Sequence, residues 1–493
     1  MGPRHRESDR LEEPRTALSR KRLWDAAPAP LKAAVGGALS MVPLGLLLGR
    51  TFRQSRRFVA ASQYWPARQT RAYQLAGLAR LCEVARGGSA FYREHFEQAG
   101  LGSGPIRDFE TFERLATIDR DTVRVHGDRL CVGDVRKADR VSTGGTSGKP
   151  VVFYQPPSRS GVEYAYLVSS WERAGFRLGG TMAVLRGRVV GPDRHGLHHE
   201  YDPLLRHHYY SSFHLSDDNL ARYLAHIARI GPCFLHGYPS SVGAIVRFGR
   251  RSGAKCPANI RGIIVESEIV YPQQRQGAVE MFGCRYFACY GHTEKLVLAC
   301  ECERSGDYHV WPTYGHFELL DAEGTPVRTP GRRGEIVATG FINHLMPLIR
   351  YRTGDFATYV ADRCDACGRE HPIIRDIRGH RTQEVLIAAD GSAISWTAMN
   401  MHDDTFDCVR QFQFLQDQPG RAILRIVPAD GFDKACERRI RAALGRKFDG
   451  ALTLGVQIVE AIPLSGRGKA IYVDQAIRQD QLGRHVLLDQ EQP

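Results

Sequence analysis

The stretch VSTGGTSGKPVVF, Val141 to Phe153, gathers three glycines, two threonines, two serines and a lysine just ahead of an apolar run. Backbone N–H groups and hydroxyls at that density suit a phosphate cradle. A P-loop needs glycine five places before Gly148 and a serine or threonine after its lysine. Thr143 and Pro150 hold those places, so the P-loop reading fails twice. Two readings stay open: a hydroxyl-rich turn that wraps a triphosphate, or an ordinary glycine turn joining two strands.

Past this loop, short apolar runs alternate with helical stretches. TMAVL (181–185), PCFLHGY (232–238), IRGIIVE (260–266) and RYFACY (285–290) read with VVFY (151–154) as buried strands. SDDNLARYLAHIAR opens on cap candidates Ser216, Asp217 and Asp218 and runs helical. Such alternation predicts an α/β domain with substantial parallel sheet. Upstream, TRAYQLAGLARLCEVA spaces Leu75, Leu78, Leu81 and Val84 along one helical face. Near the C-terminus FQFLQ, RAILRIVP and LTLGVQIVEAI read as strands with the helix FDKACERRIRAALGRKF among them. At 493 residues the chain exceeds one compact core. The expected division is a tail and apolar helical segment over 1–60, a large domain over 61–378 and a small α+β domain over 379–493.

Three further stretches bear on chemistry. YGHTE, Tyr290 to Glu294, closes an apolar run with a ring suited to stacking on a base and a carboxylate suited to magnesium; a plain turn explains the stretch equally well. In PLIRYRTGDFA, Pro347 to Ala357, Asp355 reads as a carboxylate at a strand end, suited to two ribose hydroxyls; a simple turn explains Gly354 equally well. PLSGRGKAIYV, Pro463 to Val473, carries Lys469 on a glycine-rich loop.

In this order and spacing the four stretches resemble the adenylate-forming (ANL) superfamily, and within it the phenylacetate–CoA ligase family and its capsule-biosynthesis (CapK-type) branch. HGYPSSV (236–242), GIIVESEIVYPQQR (262–275) and MPLIRYRTGD (346–355) extend the match. The resemblance implies a large domain of parallel and mixed sheets and a mobile α+β lid. It places Thr143, Gly145, Thr146, Ser147, Gly148 and Lys149 in the phosphate loop and Ser267 and Glu268 along the adenine edge. Tyr290, Gly291, Thr293 and Glu294 match the adenine and magnesium motif, and Asp355 the ribose-binding aspartate. Lys469 matches the lysine that bridges substrate carboxylate and α-phosphate, with Thr146 and Glu294 beside it in catalysis. One departure is IRGHRTQEV, where His380 stands at a position usually held by arginine; Arg381 or Arg378 takes its place.

Most of the twelve cysteines are scattered, as in a reducing compartment. The pairs in CEC (300–302) and CDACG (364–368) differ, because C-x-x-C before glycine aims two thiolates at one centre. The ligase branch carries a similar set with a structural zinc, which implies Cys302, His309, Cys364 and Cys367 as ligands, with Cys300 competing for one place. The histidine-rich RHGLHHEYDPLLRHHYYSSFH lacks regular ligand spacing and reads as a polar loop near the pocket or surface.

A net charge of +13 without aromatic-interleaved basic blocks or a nucleic-acid-binding signature argues for a solvated basic surface rather than a nucleic-acid partner. Residues 33–49 are uncharged, yet a little short of the ~20 apolar residues a spanning helix needs. They begin too late for a signal-peptide core, so a cytoplasmic protein is expected, with peripheral membrane contact as the alternative. The expected activity joins a small carboxylic acid to AMP at the expense of Mg-ATP, then passes the acyl group to CoA, or to an amine. An inactive membrane-associated scaffold is the competing class. Nothing in the sequence selects an oligomeric state.

Overall fold

The computed structural model describes residues 42–143, 151–379, 384–399, 404–406, 408–429, 431–462 and 472–477, with positions 28, 31, 35, 36, 39 and 401. Its centre is a parallel sheet in the order His207–Tyr210, Met182–Leu185, Cys233–Gly237, Ile260–Val265, Arg285–Gly291. The last four are apolar runs of the sequence, whose alternate residues serve the two faces, whereas VVFY lies in Val151–Gln155, paired with Asp139–Thr143 apart from this sheet. On one face Ala183, Leu185, Leu235, Ile263 and Val265 pack against the helices Asp217–Ile227, Pro239–Ser252 and Pro272–Phe282. On the other, Met182, Val184, Ile264 and Phe287 meet the helices Gly49–Ser62 and Arg159–Trp171. The Ser216 hydroxyl caps the Asp217–Ile227 helix, accepting from the Asn219 N–H at 3.3 Å.

Beyond Arg285–Gly291 the sheet turns antiparallel. Leu298–Glu301, Tyr308–Val310, Ile373–Arg378, Tyr351–Ala361, Arg333–Gly340 and Gly315–Leu320 follow in spatial order, and His199–Asp202 closes the far edge of a twelve-stranded sheet. The helix Ala67–Gly88 covers this half through Leu78 and Leu81.

Asp355 corrects the strand-end reading. It lies inside the eleven-residue strand Tyr351–Ala361, and Gly354 before it adopts φ +76° where the pairing with Arg333–Gly340 shifts register. The irregularity lets one continuous strand look like a turn in sequence. The histidine-rich stretch is likewise not a loop throughout: His199–Asp202 and His207–Tyr210 are strands, made so by the Tyr and His residues that alternate between faces.

Val409–Gln418, Arg421–Pro428, Thr453–Ile458 and Val473–Gln475 form a separate four-stranded sheet, with the helix Lys434–Phe448 packed on it. Phe213 and Tyr238 of the large domain enter the same apolar core as Trp396, Phe412 and Tyr472. Of the apolar 33–49 segment, Leu44–Leu47 is helical and runs into Gly49–Ser62, whose Phe52 and Val59 are buried. No helix among the described residues is long and apolar enough to cross a membrane.

Candidate functional site

The ends of Ile260–Val265, Arg285–Gly291 and Met182–Leu185 open into a cleft of about 500 Å³, where strands of a doubly wound sheet usually present ligands. Seven residues singled out from sequence line it: Ser267, Glu268, Tyr290, Gly291, Thr293, Glu294 and Asp355. Glu384, Ser395 and Trp396 of the small domain form its other wall.

Glu294 is buried, and its carboxylate faces His292 at 3.3 Å, Tyr351 at 3.3 Å and Arg120 at 3.5 Å. Burial opposes its charge, but His292 and Arg120 prevail and hold the carboxyl well below the usual carboxylate range. Arg120 arrives there because Asp119 caps the helix Arg120–His126, accepting from the Thr122 N–H at 2.8 Å. An ionised carboxylate in a cleft is a suitable magnesium ligand. The Tyr290 hydroxyl donates to Asp355 Oδ2 at 2.8 Å, so the YGHTE and YRTGD stretches meet directly. Burial, and then Asp355, push the Tyr290 phenol well above its ordinary range.

Glu268 takes the N–H and hydroxyl of Ser240, at 2.9 and 3.0 Å, at the start of the Pro239–Ser252 helix. Ser267 holds φ +73° and Lys295 φ +60°, two non-glycine residues in a left-handed conformation on the cleft wall. Each such backbone costs on the order of 1 kcal/mol and persists only where the surroundings enforce it. Arg186 does so for Ser267, donating to its Oγ at 2.9 Å and to Glu266 Oε2 at 3.0 Å. Glu266 also accepts from the Trp171 indole at 2.9 Å and faces His236 at 3.5 Å. Against the opposing effect of burial, Arg186 and His236 bring its carboxyl down to about 2.

Arg120, Arg186, Glu266 and Glu384 were missed in sequence. Glu266 sat inside the quoted GIIVESE run and its neighbours drew the attention; the others carry no local signal, because their partners lie far along the chain.

The phosphate-loop residues Gly145, Thr146, Ser147, Gly148 and Lys149 lie outside the described residues, as do Arg381 and Lys469. Thr143 ends the strand Asp139–Thr143, paired opposite Val151 of Val151–Gln155. Gln155 donates to the Thr293 carbonyl at 2.9 Å, which ties this pair of strands to the cleft. Ile377 and Gly379 line the cleft, whereas Arg378 between them is exposed.

A second cluster lies on the antiparallel half of the sheet. Cys302, His309, Cys364 and Cys367 each present a ligand atom within 4.8 Å of the other three. Cys302 and Cys364 sulfurs are 3.9 Å apart, close to the roughly 3.8 Å that two ~2.3 Å zinc–thiolate bonds impose in a tetrahedron. His309 is fully buried and neither ring nitrogen has a hydrogen-bond partner among the described residues, orphaned donors that a metal would satisfy. Gly368, at φ +77°, donates its N–H to the Cys364 carbonyl at 2.7 Å and closes the turn that aims both thiols inward. Cys300 packs instead with Trp311 and Phe287 in the hydrophobic core.

Residues 386–476 match the CapK C-terminal domain. Protein CapK of Staphylococcus aureus is 24% identical over 384 residues, which cover 77% of this chain and 84% of that protein. The chain is thus similar to the CapK branch of the adenylate-forming (ANL) superfamily. Phenylacetate-coenzyme A ligase of Thermus thermophilus is 26% identical over 329 residues, 65% of this chain and 72% of that one. The fold is that of 2-hydroxyisobutyryl-CoA ligase, solved with 2-HIB-AMP and CoA in its thioesterification state. Against it this chain has a TM-score of 0.54 at 18% identity, over 84% of its own length and 91% of the other's.

Proposed function

We propose that this protein is an AMP-forming acid ligase that activates a small carboxylic acid with Mg-ATP and transfers the acyl group to CoA. The observation that carries the reading is the convergence of Ser267, Glu268, Tyr290, Thr293, Glu294 and Asp355 on one cleft, beneath a second domain. The similarity to phenylacetate-coenzyme A ligase supports the CoA acceptor.

In this reading the carboxylate attacks the α-phosphorus, the bond to the β-phosphate breaks and pyrophosphate leaves; a CoA thiol then displaces AMP. Asp355, held in place by Tyr290, accepts the ribose hydroxyls, and Glu294 would hold magnesium, whose charge would offset that of the phosphates. Lys469 neutralises the developing charge between carboxylate and phosphate, Thr146 and the glycine-rich loop hold the triphosphate, and Arg381 serves as the hinge-side phosphate contact. The work is positioning and electrostatic stabilisation in a site prepared before the substrate arrives. Cys302, His309, Cys364 and Cys367 would hold a structural zinc, since all four places of a tetrahedron are filled by protein.

ATP–pyrophosphate exchange against a panel of aryl, fatty, amino and uronic acids tests the first step; no exchange with any acid returns the scaffold reading. Lys469→Ala should abolish adenylate formation while sparing transfer from a pre-made acyl adenylate. An equal fall in both half-reactions would remove the role given to Lys469. Supplying that adenylate with CoA or with an amine, and identifying thioester or amide by mass, decides the acceptor.

A further inference from the structure

At the sheet edge remote from the thiolate cluster, three imidazoles converge. His199 starts the edge strand, His208 lies on the strand paired with it, and His226 comes from the Asp217–Ile227 helix. The antiparallel register sets His199 opposite Tyr210 and Tyr201 opposite His208, which puts both histidines on one face of the hairpin. One ring nitrogen from each of the three lies within 4.8 Å of the other two. His199 Nε2 and His208 Nδ1 are 3.0 Å apart, and the Tyr210 hydroxyl lies 2.7 Å from His226 Nδ1.

We propose that His199, His208 and His226 form a second transition-metal site, distinct from the thiolate cluster, that takes a borderline divalent ion such as Zn²⁺, Ni²⁺ or Cu²⁺. Two metal–imidazole bonds of ~2.0–2.1 Å set their nitrogens roughly 3.3 Å apart in a tetrahedron, close to the spacing already present between His199 and His208. All-nitrogen donors favour those ions over magnesium or calcium. The Tyr210 hydroxyl fixes the His226 ring as an outer partner orients a ligand. All three rings are half-buried rather than sealed, which leaves the remaining coordination positions to water.

The site would pin the outermost hairpin of the sheet to the helix beside it. His198, the next residue back, stacks on His214 at 4.0 Å, and His214 Nε2 lies 3.2 Å from the Asp449 carbonyl of the small domain. The hairpin that the metal would fasten is thus linked to the small domain through His198 and His214.

The test is metal content and isothermal titration of the full-length protein with Zn²⁺ and Ni²⁺, wild type against His208→Ala, His226→Gln and the control His195→Ala. The proposal expects each cluster variant to bind one equivalent fewer than wild type, or to bind its last equivalent at least tenfold more weakly, with the control unchanged. Because the readout is this difference, it holds whether or not the thiolate cluster takes zinc. Equal stoichiometry and affinity in wild type and both cluster variants would overturn it. A loss in the control alone, which would mark scattered surface binding, would overturn it equally. Co²⁺ spectra separate the two sites, because only the cluster with thiolates gives an intense sulfur-to-metal charge-transfer band.

Discussion

Glu266 illustrates how much one buried carboxylate organises. It gathers Trp171, Arg186 and His236 from three separate elements, and Arg186 in turn holds Ser267 in its strained conformation. Glu266→Gln leaves the half-buried Arg186 without its counter-charge, so a loss on the order of 2 kcal/mol is expected, read as a lowered midpoint in urea unfolding. The folded-state carboxyl is depressed from an ordinary 4.5 to about 2. Its contribution is therefore complete above pH 4.5 and drains away as pH falls through about 2. Between those values the wild type should lose stability more steeply than the Gln variant. Parallel pH profiles would count against the assignment. Tyr290 gives the functional counterpart. Tyr290→Phe removes the 2.8 Å donor to Asp355 and should raise KM for ATP about tenfold, with kcat changed less, since a bond to a charged partner is worth ~1.5 kcal/mol. An unchanged KM would show that Asp355 needs no such support.

At the scale of elements, the antiparallel strands do a job that the parallel half cannot. Strand Tyr308–Val310 carries His309, the chain leaves Leu298–Glu301 at Cys302, and the turn after Tyr351–Ala361 carries Cys364 and Cys367. Four ligands from three places in the chain then meet across the neighbouring strands of this half, with Ile373–Arg378 between two of them. Purified protein should contain about one zinc per chain at this cluster, beyond any held by the three histidines, and Cys364→Ser with Cys367→Ser should lose it together with thermal stability. Retention of full stability without that zinc would argue against a structural role. Tyr351–Ala361 also carries Asp355, so one strand joins the thiolate cluster to the candidate nucleotide cleft. Gly354 at positive φ re-aims the strand there without ending it.

At the scale of the whole molecule, the arrangement of the two domains is held by an apolar contact. Phe213 and Tyr238 are buried in the small domain's own core, where Trp396 stacks on Tyr472 at 4.1 Å. If the small domain moves between half-reactions, as the proposed function requires, it has to leave this contact. Phe213→Ala, outside the cleft wall, should change the ratio of adenylation to transfer rates by roughly fivefold or more, because it weakens one arrangement and not the other. A proportional fall in both rates would assign Phe213 to stability alone.

Much of this was legible in the residues themselves. Buried strands announce themselves as apolar runs because both faces of a parallel sheet are covered, and the helix over 434–448 shows its period because only the face of Ile440, Ala443, Leu444 and Phe448 is buried. The C-x-x-C-G turn and YGHTE are short enough for their geometry to be local. What the sequence could not disclose were the partnerships: Arg120 with Glu294 is a contact 174 residues apart (294 − 120), and no period or spacing encodes such a distance. The three histidines at the sheet edge make the same point. Two stand in a stretch whose irregular spacing argued against a metal, and the third lies eighteen residues further on (226 − 208), across a turn and into a helix. Local propensity and hydrophobic pattern thus settled the class of fold and the chemistry on offer. Which side chains face one another was decided only when the sheet closed, since register and helix packing, not chain order, bring distant groups within bonding distance.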